Sequence, residues 1–118
     1  MEKQFVTPEI ASKLMVLGFD EDCMARFEEG KLNIIMSNDI GKRKFLQAPL
    51  WQQVMDWFRE KHNIDIELPY GGNKCNYYVF VKDDYIYDGK DPKQFITYYE
   101  AREQAILKAI ELCQRHYL

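Results

Sequence analysis

Residues 48–70 read APLWQQVMDWFREKHNIDIELPY, and the change of hydrophobic period inside this stretch decides the fold class. From Leu50 to Phe58 the apolar residues Leu50, Trp51, Val54, Met55, Trp57 and Phe58 fall on one side of a helix that turns about 100° per residue. Gln52, Gln53, Asp56, Arg59 and Glu60 fall on the other. Pro49 suits the first helical turn, where its missing N–H has no intrahelical partner to lose. Asp56 and Arg59 are spaced to pair weakly. Lys61 and His62 place cationic or protonatable groups in the last turn, where the helix dipole favours them. Asn63 suits the left-handed residue after the helix. Then Ile64, Ile66 and Leu68 alternate with Asp65 and Glu67, the period of a strand with one wet face. Pro69 closes that strand or marks a sheet edge. A helix running directly into a strand, with both tryptophans inside the helix, is the scaffold for the rest.

Toward the N-terminus, Thr7, Pro8 and Glu9 predict a helix start, and Gly18 a helix stop. Ile10, Leu14 and Leu17 form its apolar stripe, with Phe19 positioned to pack back on the last turn. Asp20-Glu21-Asp22 reads as a solvated acidic connector. A hairpin follows, Cys23–Glu28 and Leu32–Met36 about the turn Glu29-Gly30-Lys31. Cys23, Ala25 and Phe27 share one face. Ile35 makes the second strand apolar on both sides, which predicts a central place for it in the sheet. Ser37–Gln47 is a long irregular stretch. Beyond residue 70, Tyr70–Lys74 reads as a turn and Cys75–Lys82 as a strand in which Tyr77, Val79 and Val81 oppose Tyr78, Phe80 and Lys82. Tyr85–Tyr87 is a short further strand. The last helix begins at a capping box, Thr97 to Glu100, and runs to about Tyr117. Ala101, Ala105, Ala109 and Leu112 lie in line, with Ile106, Ile110 and Cys113 beside them. Arg102 is out of place on that apolar arc: it must snorkel or meet a carboxylate or an anion.

These elements define an α+β fold in the order α-β-β-α-β-β-(β)-α, with a mainly antiparallel sheet and helices packed on one face. At 118 residues the length predicts one globular domain, residues 1–118. A net charge of −3 argues against a general nucleic-acid binder. The longest apolar run, Leu14–Leu17, is far too short to span a bilayer, and the N-terminus carries no charged-then-apolar secretory pattern. The three cysteines, Cys23, Cys75 and Cys113, are scattered and odd in number, which fits reduced thiols in a cytoplasm.

The run WQQVMDWFREKHNIDIELPY, the tyrosine-rich strand after it and TYYEAREQAILKAIEL resemble a family of small uncharacterised proteins encoded by bacteria and by their phages and mobile elements. The likeness covers roughly residues 48 to 112. It implies a small intracellular accessory protein and brings no catalytic or binding residue with it.

His62 and His116 have no HxxxH or CxxC spacing around them, so no metal set forms. Asp84–Asp91 departs from a calcium loop at Ile86 and lacks the closing Glu. Gly71-Gly72-Asn73-Lys74 lacks the spacing of a phosphate loop. A cysteine nucleophile needs an adjacent base; of the three thiols Cys75, opening a strand beside a flexible turn, comes nearest to that role, and a structural thiol is the favoured reading. Two surface features remain. Eight tyrosines offer apolar area with a polar tip, as interfaces use. Tyr77, Tyr78, Tyr85 and Tyr87 are the candidate interaction residues, and because adjacent strand residues oppose each other, Tyr77 and Tyr78 cannot both face the core. The basic run Lys42-Arg43-Lys44 followed by Phe45 could hold phosphates and stack a base. The expectation is a cytoplasmic protein without catalytic activity, cofactor or metal. It acts on a protein partner or on itself through a tyrosine-rich sheet face or edge, giving a homodimer in the latter case. The alternative is a nucleic-acid accessory protein using Lys42–Phe45.

Overall fold

The computed structural model describes residues 2–34, 45–68, 70–71, 74–75, 77–81, 85–88 and 97–117; for 2, 70–71, 74–75, 85–88 and 116–117 it describes the backbone alone. The chain is α+β, with antiparallel pairing throughout the described strands. Its contacts divide it into two compact units, residues 1–54 and 55–118, taken here in turn.

In the first unit, helix α1 (Pro8–Val16) begins as the sequence predicts, with the Thr7 side chain accepting from the Ile10 N–H. It ends at Leu17 and Gly18. Gly18 takes a φ of +98°, its N–H donates to the Met15 carbonyl, and the Phe19 N–H donates to that of Leu14. This pair of bonds closes the helix and turns Phe19 inward, where it is buried. Strands β1 (Ala25–Glu28) and β2 (Lys31–Ile34) form the expected hairpin. Its turn is two residues rather than three. Glu29 and Gly30 both have positive φ, 52° and 77°, the geometry that matches the twist of the flanking strands.

The expected central place of β2 is corrected: among the described residues it pairs only with β1 and is an edge strand. The centre belongs to β1, because Leu46–Gln47 form a two-residue strand, β3, on its other side. That pairing joins residues some twenty apart, so the local pattern of Ile34-Ile35 could not reveal it. The core of the sheet face is Phe5, Ala25 and Ala48, with Phe27, Leu32 and Leu50 packed against them.

Helix α2 (Trp51–His62) starts two residues later than Pro49 predicts. Phe5 and Leu50 form an antiparallel bridge, and the Val6 N–H donates to the Pro49 carbonyl at 3.0 Å. Those bonds hold residues 49–50 extended, so the helix begins only after Leu50, whose carbonyl accepts from Val54. The Trp51 indole N–H donates to the Lys3 carbonyl at 3.0 Å.

In the second unit, Met55, Trp57 and Phe58 are buried on one side of α2, as their spacing requires. The Trp57 and Phe58 rings meet edge to face at 5.1 Å. Asn63 takes the left-handed conformation, φ 55°, and turns the chain into β4 (Ile64–Glu67). Arg59 reaches across that turn to the Asp65 carboxylate at 3.0 Å, with Asp56 farther off at 3.9 Å. β4 pairs with β7 (Tyr78–Val81), which pairs with β8 (Tyr85–Asp88); β5 (Tyr70–Gly71) and β6 (Lys74–Cys75) form a separate small ribbon. The strand expected over Cys75–Lys82 is therefore two strands. Helix α3 (Tyr98–Tyr117) lies against β4 and β7. Ala101, Ala105 and Ala109 on its packed side are wholly inaccessible, as are their neighbours Ile106, Ile110 and Cys113 to within a few per cent. No helix among the described residues is long and apolar enough to cross a membrane.

Candidate interaction surfaces

The clearest grouping of exposed aromatic and charged side chains lies at the start of α3. Thr97 accepts from the Glu100 N–H at 3.0 Å, and its carbonyl accepts from Ala101. This cap fixes the first turn, so Tyr98, Tyr99 and Arg102 stand three and four residues apart on neighbouring positions. The Arg102 guanidinium lies 5.5 Å from the centre of the Tyr98 ring and 5.1 Å from that of Tyr99. The two rings meet edge to face at 6.1 Å. Each is attracted to the cation through its negative face. Partial burial lowers the Arg102 pKa, and Tyr98, Tyr99 and Glu103 act in the opposite sense. Both rings remain open to solvent, Tyr98 at 38% and Tyr99 at 52%. Arg102, out of place on the apolar arc in sequence terms, is accommodated here by aromatic faces.

The tyrosines singled out from the strand sort differently. Tyr77 is buried at 7% and belongs to the core, and Tyr78 is half-buried on the opposing side. The alternation is as the sequence predicts, with Val79 wholly buried next in line. Tyr85 and Tyr87 lie on β8, paired opposite Val81 and Val79, and their side chains lie outside what is described. The solvent-facing tyrosines of the described residues thus include Tyr98 and Tyr99 on α3 rather than Tyr77. Their signal in the sequence was the misplaced Arg102 at helical spacing from both.

Lys42, Arg43 and Lys44 lie outside the described residues. Phe45 is half-buried, and the Arg26 guanidinium sits 4.1 Å above its ring centre. Arg26 also bonds the Glu28 carboxylate at 3.1 Å. The aromatic face proposed to stack a base is thus already covered by a cation of this chain.

A small cavity of about 160 Å³ lies in the first unit, between α1 (Ala11, Met15), Phe19–Asp22 and Phe45–Gln47. Its acidic rim is held in place rather than loose. Gln53 donates to the Glu21 carboxylate at 3.2 Å and to the Asp22 carbonyl at 2.9 Å. The Cys23 thiol donates to the Glu21 carbonyl.

The remaining chemical groups are placed by packing. The His62 ring stands edge-on to Trp57 at 4.7 Å, and burial lowers its pKa from the ordinary 6.5. The Cys113 thiol is pushed up to about 11 by burial, which keeps it protonated at neutral pH. Among the described residues no group of three or more His, Cys, Asp or Glu is arranged to hold a metal ion. Comparison with protein-family models, with curated proteins and with solved structures returned no match.

Proposed function

We propose that this is a cytoplasmic, non-catalytic accessory protein that works by contact with other protein chains, a second copy of itself included. The observation that supports this reading is the exposed Tyr98–Tyr99–Arg102 turn. Tyrosine and arginine are the residues in which binding energy concentrates at protein interfaces. Here the two rings and the guanidinium already lie against one another on a capped helix turn, so less side-chain freedom is lost when a partner covers them. A nucleic-acid role draws no comparable support, because Phe45 is covered by Arg26.

Site-specific photo-crosslinking in the native cell tests the proposal. A photoreactive residue in place of Tyr99 is expected to give a discrete protein adduct that the same residue in place of Glu60, exposed on α2, does not. Arg102→Gln should reduce that adduct. Identical adducts from both positions, or adducts to nucleic acid alone, would overturn it.

A further inference from the structure

Strand β2 has a self-complementary edge. Glu28 and Lys31 flank the two-residue turn and face each other in the ladder, followed by Phe27 with Leu32, Arg26 with Asn33 and Ala25 with Ile34. Residues closing a two-residue turn exchange both backbone bonds, and bonded and non-bonded pairs then alternate along antiparallel strands. Lys31 and Asn33 therefore spend their N–H and C=O groups on β1. Leu32 and Ile34 turn theirs outward, to the edge that no described strand pairs with. The side chains follow the same period. Leu32 lies with Phe27 on the core face, packed against Phe5, Ala25 and Ala48. Ile34, two residues on, shares that face but is 40% exposed.

We propose that two copies of this chain join antiparallel through β2, about a two-fold axis at Asn33. This goes beyond the reading above: it names a second copy as the partner and uses none of Tyr98, Tyr99 and Arg102. In that register Leu32 faces the partner's Ile34, and Ile34 faces the partner's Leu32. The outward backbone groups of both residues are then used in four hydrogen bonds, and the apolar pair from each copy forms one row on a continuous face. Centring the axis on Leu32 instead would set Ile34 against Gly30 of the partner subunit, which lies in the turn rather than in a strand. A centre between two residues would put the core face of one copy on the outer side of the other. A groove of about 620 Å³ is lined by Phe5–Pro8, Phe27 and Gly30–Asn33, so the flank of β2 at Leu32 is open. The contact is isologous, so it closes at two copies and leaves no β2 edge for further growth.

Sedimentation over a range of concentrations reads the mass. The expected result is a reversible shift from the 14.1 kDa chain to twice that mass. Ile34→Pro removes an outward N–H while leaving the bonds to β1, a placement an edge strand tolerates. It should weaken the dimer by about tenfold or more, since each interface loses two backbone bonds. Should this variant lose the native circular dichroism, Asn33→Cys carries the decision. The two facing residues form a non-bonded pair, whose Cα separation suits a disulfide. Mild oxidation should trap a covalent dimer from Asn33→Cys but not from Lys31→Cys or from the wild-type chain. A single-chain mass at every concentration would overturn the proposal. So would a dimer that Asn33→Cys fails to trap; that dimer would leave the accessory-protein reading standing. Loss of the Tyr99 adduct specificity with a trapped β2 dimer would reject that reading alone.

Discussion

Helices α2 and α3 both bury one stripe, and they fill it in opposite ways. α2 uses the largest side chains the code offers, Trp51, Trp57 and Phe58, each nearly or wholly inaccessible. α3 uses the smallest, Ala101, Ala105 and Ala109, backed by Ile106 and Ile110. Bulky residues make core volume where the surrounding backbone stands off. Alanines let a helix come close to the sheet it covers, here β4 and β7. The two helices should therefore fail under opposite substitutions: α2 when side chains shrink, α3 when they grow.

The largest effect is expected at Trp57. Trp57→Ala removes a ring that is 3% exposed and packed on Phe58 and His62. It should cost about 3–5 kcal/mol in denaturant unfolding. A near wild-type midpoint would mean that the ring contributes no core volume. Next comes Ala105→Leu, which should cost about 1–3 kcal/mol through overpacking against the sheet. A neutral result would show slack under α3, and the contrast between the helices would collapse.

The smallest effect concerns His62, at the end of the aromatic stripe. Burial lowers its pKa in the folded chain below 6.5, so between those two values the unfolded chain binds more protons than the folded one. Stability then rises with pH across that window, and it falls as the solution is acidified through 6.5 toward the folded value. The shift comes from burial of the ring, and its direction is opposite to the one the helix dipole alone would give. Unfolding curves collected against pH should show a flatter profile for His62→Gln in this window. Parallel profiles would place the ring in water.

These outcomes bear on what was legible in the chain. Local signals held where local chemistry decides: Thr7, Pro8 and Gly18 for α1, Asn63 after α2, Thr97 for α3, and the apolar spacing of both long helices. Two departures came from partners far along the chain. Pro49 carries the ordinary mark of a helix start, but the bridge between Phe5 and Leu50 keeps it extended. The apolar character of β2 suggested a central strand, yet the pairing of Leu46–Gln47 with Arg26–Phe27 gives the centre to β1. The hairpin turn was read one residue too long because Glu29 is an unusual occupant of a left-handed position, where Asn or Gly is cheaper. At the candidate surface, the strand alternation separated Tyr77 from Tyr78 correctly. The grouping of Tyr98 and Tyr99 around Arg102 follows from helical spacing alone, since both rings stand three or four residues before the guanidinium.

Cys113 gives the protein an internal clock. Its thiol sits in the packed stripe of α3 with a pKa of about 11, so at pH 7 only about one molecule in ten thousand carries the reactive thiolate. Capture by an alkylating reagent must then wait for the helix to lift from the sheet, which restores ordinary acidity and access together. The modification rate of this one sulfur counts those openings, and it reports how often the second unit comes apart under conditions in which it is almost always folded.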